Sequence, residues 1–363
     1  MINIEKVEVD SEKRMIVISD IHGSLKLFQR LLEKIDYTDN DYLFINGDLA
    51  EKGKNSLEVI EFIKNLDEKS NRVFVSKGNC DIIFKYVLDG NERILSYMRQ
   101  QQYSLLNEMI VNEGKSMDDF SEIESIAEFY RNHYQDMFDW LDSLPEAYET
   151  DDHIIIHAGI NGTKVWRETD ELTALSAKAF YENGHQAEKM VIVGHWPVVN
   201  YQTNLVSSNN PLIDLEKKVI SLDGGNQIKI DGQLNALIIK DGMYSDTYVD
   251  ELTIEKTVQT DFQNTTAGVG TVTYPNYELR IIQPEQYFTL CENAVSGIRQ
   301  WVKNEYLTTN NNMTYSSDVS TTFLSVQKGE RVKVINASCE GYVLIKKMNG
   351  DTGWISKSCL SGE

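Results

Sequence analysis

Five short clusters of residues in this 363-residue chain are of types that do chemistry: Asp20-Ile-His22-Gly23, Gly47-Asp48, Gly78-Asn79, His157-Ala-Gly159 and Gly194-His195. Taken singly, each is weak. A histidine after a strand is usually a structural hydrogen-bonder, and Gly-Asp or Gly-Asn is usually a turn. Taken together they supply two aspartates, one asparagine and three histidines. That is a ligand set for two divalent cations, and carboxylate with imidazole suits manganese, iron or zinc better than calcium.

Every cluster follows an apolar run. Met15-Ile-Val-Ile18, Tyr42-Leu-Phe-Ile45, Val73-Phe-Val75, Ile154-Ile-Ile156 and Val191-Ile-Val193 lead into the five clusters in turn. Continuous apolar runs of three or four predict strands buried on both faces. Between them, Leu25, Phe28, Leu31, Leu32 and Ile35 have helical spacing, as do Leu57, Ile60 and Ile63. Alternating strands and helices predict an α/β layered core, with the polar clusters along one edge where such sheets bind ligands. Residues 82–142 interrupt the alternation and read as helices, a cap inserted between the third and fourth motif-bearing strands. After His195, Val219–Gly225, Leu234–Ile239 and Met243–Val249 predict antiparallel strands.

Composition narrows the function. Asp and Glu total 56 against 35 Lys and Arg, a formal charge of -21. Such a chain repels phosphate backbones and anionic membranes, so broad nucleic-acid and membrane binding are disfavoured. A phosphorylated substrate would need something locally positive, and a metal site provides it. The N-terminus has no signal-peptide pattern, and no apolar run is long enough to span a bilayer. Cys80, Cys291, Cys339 and Cys359 are too few for a disulfide framework. A cytoplasmic location with reduced thiols is the expectation.

Residues 256–275, rich in Thr, Gln, Asn and Gly, are expected to link the core to a second region, 276–363. That region carries an internal repeat. Ile282-Gln283 and Val326-Gln327 lie 44 residues apart, as do Phe288 and Val332, and Leu290 and Val334. Gly297 and Gly350, Trp301 and Trp354, and Leu307 and Leu360 lie 53 apart. The second copy, with Gly329-Glu330, Gly350, Thr352-Gly-Trp-Ile355 and Leu360, resembles bacterial SH3-like domains. This divides the chain into a core of 1–255, a linker, and SH3-like units at 276–308 and 309–363.

The order of the motifs, Asp20-x-His22-Gly23, Gly47-Asp48-x-x-Glu51-Lys52-Gly53, Gly78-Asn79, His157-Ala-Gly159 and Gly194-His195, resembles the calcineurin-like metallophosphoesterase superfamily. Within it the resemblance is to bacterial phosphoprotein phosphatase-like members, a group that also holds symmetrical diadenosine tetraphosphate hydrolases. It covers residues 14 to about 250, and Leu222-Asp-Gly-Gly225 with Leu234-Asn-Ala-Leu237 looks like that group's closing segment. The resemblance implies a layered α/β/β/α core. It implies that Asp20 and His22 hold one metal, that Asp48 bridges both, and that Asn79, His157 and His195 hold the other. Manganese is the first expectation, with iron, zinc or magnesium as alternatives. A hydroxide shared by the two metals would then attack phosphorus in line.

Two positions depart from the family pattern. Glu51-Lys52-Gly53 stands where Asp-Arg-Gly is common, so Lys52 would contact phosphate without a bidentate fork. Arg167, in Val165-Trp-Arg167, resembles the family's second phosphate-binding arginine. Cys80, followed by Asp81, stands where the family has a histidine that protonates the leaving oxygen. A thiol lacks the tuning of an imidazole near neutrality, although some phosphodiesterase-like members also have Asn-Cys. The catalytic set is therefore expected to be Asp48, Asn79, Cys80 and Asp81. His133, His153 and His185 read as structural.

The first functional reading is a phosphoprotein phosphatase-like monoesterase acting on a phosphorylated protein or small molecule. The second is a hydrolase of nucleotides, dinucleoside polyphosphates or phosphodiesters. A metal-binding scaffold with weak turnover is the non-enzyme reading. A peptide partner is the expectation for the SH3-like tail.

Overall fold

The computed structural model describes residues 2–265 and 268–360. Residues 1 and 361–363 of the expected domains, and 266–267 of the expected linker, lie outside the described residues. The chain divides into two units, one of 1–196, 211–228 and 233–249, the other of 197–210, 229–232 and 250–363.

In the first unit the strands are β1 (Ile4–Lys6), β2 (Met15–Ile18), β3 (Tyr42–Asn46), β4 (Val73–Ser76), β5 (Ala147–Glu149) and β6 (His153–Ile156). They continue with β7 (Met190–Val193), β8 (Leu212–Asp214), β9 (Val219–Ser221), β10 (Gln233–Lys240) and β11 (Met243–Asp250). The helices are α1 (Leu25–Lys34), α2 (Ser56–Lys69), α3 (Phe84–Leu88), α4 (Arg93–Gln100), α5 (Leu105–Asn112), α6 (Ile123–Ser143), α7 (Glu171–Ser176) and α8 (Phe180–Asn183). One sheet runs β11-β10-β2-β3-β4 and the other β1-β5-β6-β7-β9-β8.

The alternation of β2 explains the layering. Val17 faces the second sheet, packing with Phe44, Ile155, Ile192 and Ile220 in a core between the sheets. Ile16 and Ile18 face the other way, into α1 and α2. On the far side, Ile154, Ile156, Val191 and Val193 pack against Trp166, Leu175 and Phe180. The result is the expected α/β/β/α stack, with strands apolar on both faces because both are covered. Residues 82–142 do form helices, but not a separate lid. Phe84, Met98, Leu106, Tyr130 and Phe138 share one continuous core with α1, α2 and the sheet beneath.

The second unit is all β. A five-stranded sheet runs β16 (Arg299–Lys303), β15 (Phe288–Asn293), β14 (Glu278–Pro284), β18 (Met313–Ser316) and β17 (Leu307–Asn310). A four-stranded sheet runs β12 (Glu255–Thr257), β20 (Arg331–Asn336), β21 (Tyr342–Lys347) and β22 (Thr352–Ser356). β13 (Thr271–Val272) pairs with β19 (Val319–Ser320). The segment read as a linker thus contributes two strands. The hairpin of β17 and β18 closes the five-stranded sheet, so the boundary expected at 308/309 passes through it.

The repeat is a three-stranded meander, β14-β15-β16 and again β20-β21-β22. Both first strands carry a bulge, between Ile281 and Gln283 in one and between Val334 and Asn336 in the other. Gly297 and Gly350 turn with positive φ ahead of the third strand, which carries Trp301 or Trp354. The offset is 53 residues at the bulges as at the tryptophans. The 44-residue matches, which set Phe288 against Val332, are therefore corrected: Phe288 lies on a second strand and Val332 on a first. The copies differ in burial. Trp354 is fully buried and donates to Ser320 O at 2.7 Å, whereas Trp301 is half-buried.

Candidate active site

Each sheet delivers its residues from three adjacent parallel strands, four from one sheet and three from the other. β2, β3 and β4 end at Asp20 and His22, at Asp48 and at Asn79. β6, β7 and β9 end at His157, His195 and Asp223. The loops are stitched to one another. Asp20 N donates to Gly47 O, His22 N to Asp48 O and Gly194 N to His157 O. Two glycines permit this approach: a Cβ on Gly78 would overlap Asp48, and one on Gly194 would overlap Asp20 Oδ2. Asp20, His22, Asp48 and His195 all have positive φ. Such strain in non-glycine residues collects at functional sites, where packing holds side chains on a common target.

That target is one buried cluster. His157 Nε2 lies 3.3 Å from Asp48 Oδ1, and His22 Nε2 lies 3.8 Å from Asp48 Oδ2 and 4.0 Å from Asp20 Oδ1. Asp20 also accepts from His195 N at 3.1 Å through both oxygens. One terminal amide atom of Asn79 lies 3.2 Å from His157 Nε2 and 2.8 Å from His195 Nδ1. The imidazoles are oriented by carbonyls. His22 Nδ1 bonds Ala50 O at 3.1 Å and His157 Nδ1 bonds Asn46 O at 3.0 Å. Those bonds turn both Nε2 atoms toward the carboxylates.

The electrostatics call for positive charge. Burial and the Asp223 carboxylate push Asp20 well above its ordinary range. Burial would lower His157, but Asp48 pulls it up to about 10. Burial and the neighbouring His157 hold His195 down at about 4. In the absence of a cation, a proton on His157 compensates Asp48. The donor set fits divalent metals: oxygen and imidazole nitrogen from Asp48, His157 and His195 in one group, and from His22 and Asp48, with the Cys80 sulfur close by, in the other. Asp20 and His22 would hold one cation, Asn79, His157 and His195 the other, and Asp48 both.

The other expected site residues divide. Asp81 reaches no open space. Its carboxylate accepts from the backbone N–H groups of Asp48, Leu49, Ala50 and Gly78 at 2.8–3.3 Å, clasping two motif loops together. Burial and the Asp48 charge push it up to about 7, against the pull of those donors. Cys80 is buried, and its N–H donates to Asp48 Oδ1 at 2.9 Å. Burial and Asp48 push its thiol well above the ordinary range. Lys52 donates to Tyr97 OH at 3.3 Å, with Nζ 5.3 Å from the centre of that ring. Arg167 is not brought to the cluster. It forms an ion pair with Glu149, whose cross-strand partner Ile154 lies near the start of β6, at the other end from His157. His133, His153 and His185 bond Phe129 O, Tyr244 OH and Lys218 O respectively.

Two buried acids were missed. Asp223 follows the apolar run of β9, by the same rule that located the other ligands. Its neighbour Asn226 donates to Ile21 O, between Asp20 and His22, at 2.8 Å. Glu51 was read only as part of a variant motif. It is fully buried and accepts from Tyr97 OH at 2.5 Å, Ser104 Oγ at 2.9 Å and Leu105 N at 2.6 Å. Those partners belong to α4 and to the start of α5, 46–54 residues further along the chain, and sequence spacing could not dock them.

Residues 13–229 match the family described as calcineurin-like phosphoesterase. A symmetrical bis(5'-nucleosyl)-tetraphosphatase of Buchnera aphidicola is 47% identical over 66 residues, 18% of this chain and 23% of that protein. The asymmetrical bis(5'-nucleosyl)-tetraphosphatase PrpE of Halalkalibacterium halodurans is 26% identical over 153 residues, 40% of this chain and 56% of that protein. The chain thus spans between just under a quarter and just over half the length of these relatives. Among solved structures, a protein serine/threonine phosphatase from Saccharomyces cerevisiae aligns with a TM-score of 0.41 at 14% identity, covering 69% of this chain and 85% of that one.

Proposed function

The chain belongs to the calcineurin-like phosphoesterase family, and within it we propose a two-metal hydrolase of phosphoanhydrides, with dinucleoside polyphosphates as the substrate class. The observation that carries this reading is Cys80. It occupies the position expected for the leaving-group acid, and it is a buried thiol pushed further from the range in which it could donate a proton. Hydrolysis breaks a P–O bond, and the leaving oxygen keeps the electron pair. Without an acid it must depart as an anion. A nucleoside phosphate or an aryl oxide does so readily, whereas a serine alkoxide does not. The names of the tetraphosphatase relatives support the same class.

Bound cations would supply Lewis acidity and an activated water. The chain's own residues do the rest. Asp48, Asn79 and the three histidines fix the charge centre between the two sheets. Lys52 offers an ammonium to a phosphoryl oxygen, steadied by Tyr97. Asp81 keeps the Asp48 and Asn79 loops in register. The tail is read as two SH3-like units around the repeated meander, with a peptide as their partner class.

A panel assay on metal-loaded protein tests the substrate. It should contain a dinucleoside tetraphosphate, an aryl phosphate, an aryl diester and a phosphoserine peptide. Dinucleotide and aryl substrates should turn over about 10²-fold or more faster than phosphoserine, the usual worth of a missing general acid. Comparable rates on the phosphopeptide would restore the phosphoprotein phosphatase reading.

A further inference from the structure

We propose that the Cys80 sulfur is itself a ligand of the cation shared by His22 and Asp48. The proposal rests on the two-metal reading of the site and adds a soft donor to it. The donor atoms of His22, Asp48 and Cys80 all lie within 4.8 Å of one another, and all three residues are buried. That spacing is what ligands around a single ion show, given metal bonds of about 2.0–2.3 Å to oxygen, nitrogen and sulfur.

His22 supplies an independent sign. With Nδ1 bonded to Ala50 O, its Nε2 is turned toward the cluster, and the residue is almost fully buried. Its neighbours there are carboxylate oxygens, at 3.8 Å from Asp48 and 4.0 Å from Asp20. Neither distance is a hydrogen bond. An imidazole nitrogen and two carboxylates facing one another across such a gap form a donor set with room for a cation between them. Cys80 lies on the rim of that gap and is fixed there. Its N–H holds Asp48 Oδ1, and the residue after it is clasped by four backbone N–H groups.

A cation deprotonates a coordinating thiol, and the proton passes to solvent. Sulfur engaged in this way cannot act as the acid for a leaving group, so the ligand role and the substrate preference have one cause. A thiolate also tilts metal choice. Soft sulfur favours zinc, iron or cobalt, while magnesium and manganese favour oxygen.

Cobalt(II) is the probe, added alone to the metal-free full chain. Wild-type protein should show visible d–d bands together with a sulfur-to-cobalt charge-transfer band in the near ultraviolet. Cys80→Ser should keep the d–d bands and lose the near-ultraviolet band. Zinc affinity measured against magnesium should fall by roughly 10-fold or more in Cys80→Ser, at least the loss typical of a group one step outside the ligand shell. Wild-type d–d bands without the charge-transfer band would overturn the ligand role and leave the metal centre standing. Failure to bind cobalt at all, by metal analysis, would overturn both. Should Cys80→Ser not fold, the wild-type spectrum still decides, because Cys291, Cys339 and Cys359 can be replaced together as the control.

Discussion

His157 Nε2 lies 3.3 Å from Asp48 Oδ1, although the two residues end strands of different sheets. The contact closes the two layers over one charge centre. Because Asp48 pulls His157 up to about 10, the imidazole is protonated at neutral pH until a cation replaces the proton. Metal loading of chelated protein at pH 7–8 should therefore release about one proton from this residue. Calorimetry in buffers of differing ionisation enthalpy measures it. Release close to zero would mean that His157 is not a ligand.

Asp48 sits between both groups of donors, whereas Asn79 serves one. Asp48→Asn should remove both cations by metal analysis, and Asn79→Ala should leave one bound. Equal metal content in the two variants would contradict the bridging role.

The proposed phosphate-binding role of Lys52 is tested together with its neighbour Tyr97. Lys52→Ala should weaken inhibition by inorganic phosphate about 10-fold or more, the scale of one charge-assisted hydrogen bond. Tyr97→Phe keeps the ring beneath the ammonium and should lose less. An unchanged inhibition constant in Lys52→Ala would remove this residue from the site.

Asp81 was expected among the catalytic residues, and its four backbone donors give it a different task. Asp81→Ala leaves those donors without an acceptor and should cost on the order of 3 kcal/mol of stability or more. Denaturant melts with metal removed report it. A variant as stable as the parent but inactive would return Asp81 to the chemistry.

Arg14 holds Asp41 with two hydrogen bonds, at 2.8 and 2.7 Å, and also binds Ile35 O and Asp36 O. Burial alone would raise Asp41, but the guanidinium brings it below its ordinary value of 3.8. A depressed carboxylate stabilises the fold above that ordinary value, and the contribution is lost as pH falls through the folded value. Arg14→Ala should therefore cost about 1–3 kcal/mol at pH 7 and less at pH 3. A penalty independent of pH would show that packing, not charge, was removed.

The candidate metal ligands are legible because each obeys one local rule: an apolar run buried on both faces, then a polar residue in a tight turn. Asp223 obeys it too and was passed over only because its run, Val219–Leu222, was read with the antiparallel strands. Arg167 was misplaced because motif order carries no information on which end of a strand a following loop reaches. Glu51 lay beyond reach for another reason. Its partners, Tyr97 and Ser104, are brought to it by the docking of α4 and α5 into the shared core, and that docking has no sequence period. In the tail, the tryptophan and glycine offsets gave the true repeat. The shorter 44-residue matches paired apolar residues that any two strands would supply.

The second unit draws in residues 197–210 as well as the tail. Within it Asn210 donates to Asn349 O, 139 residues further along the chain, and Ser207 O accepts from Thr352 N. On a ribosome adding about 5–20 residues per second, Asn210 emerges roughly 7–28 s before its partner. Its segment follows directly on the loop that carries His195, so part of what anchors that loop's continuation is made 139 residues later. A nascent chain of this protein must therefore carry an unfinished stretch beside the His195 loop until residues 349–352 have been made. Chaperone occupancy should concentrate in that interval, and a stop codon placed before residue 349 should yield a chain that is degraded rather than a smaller enzyme.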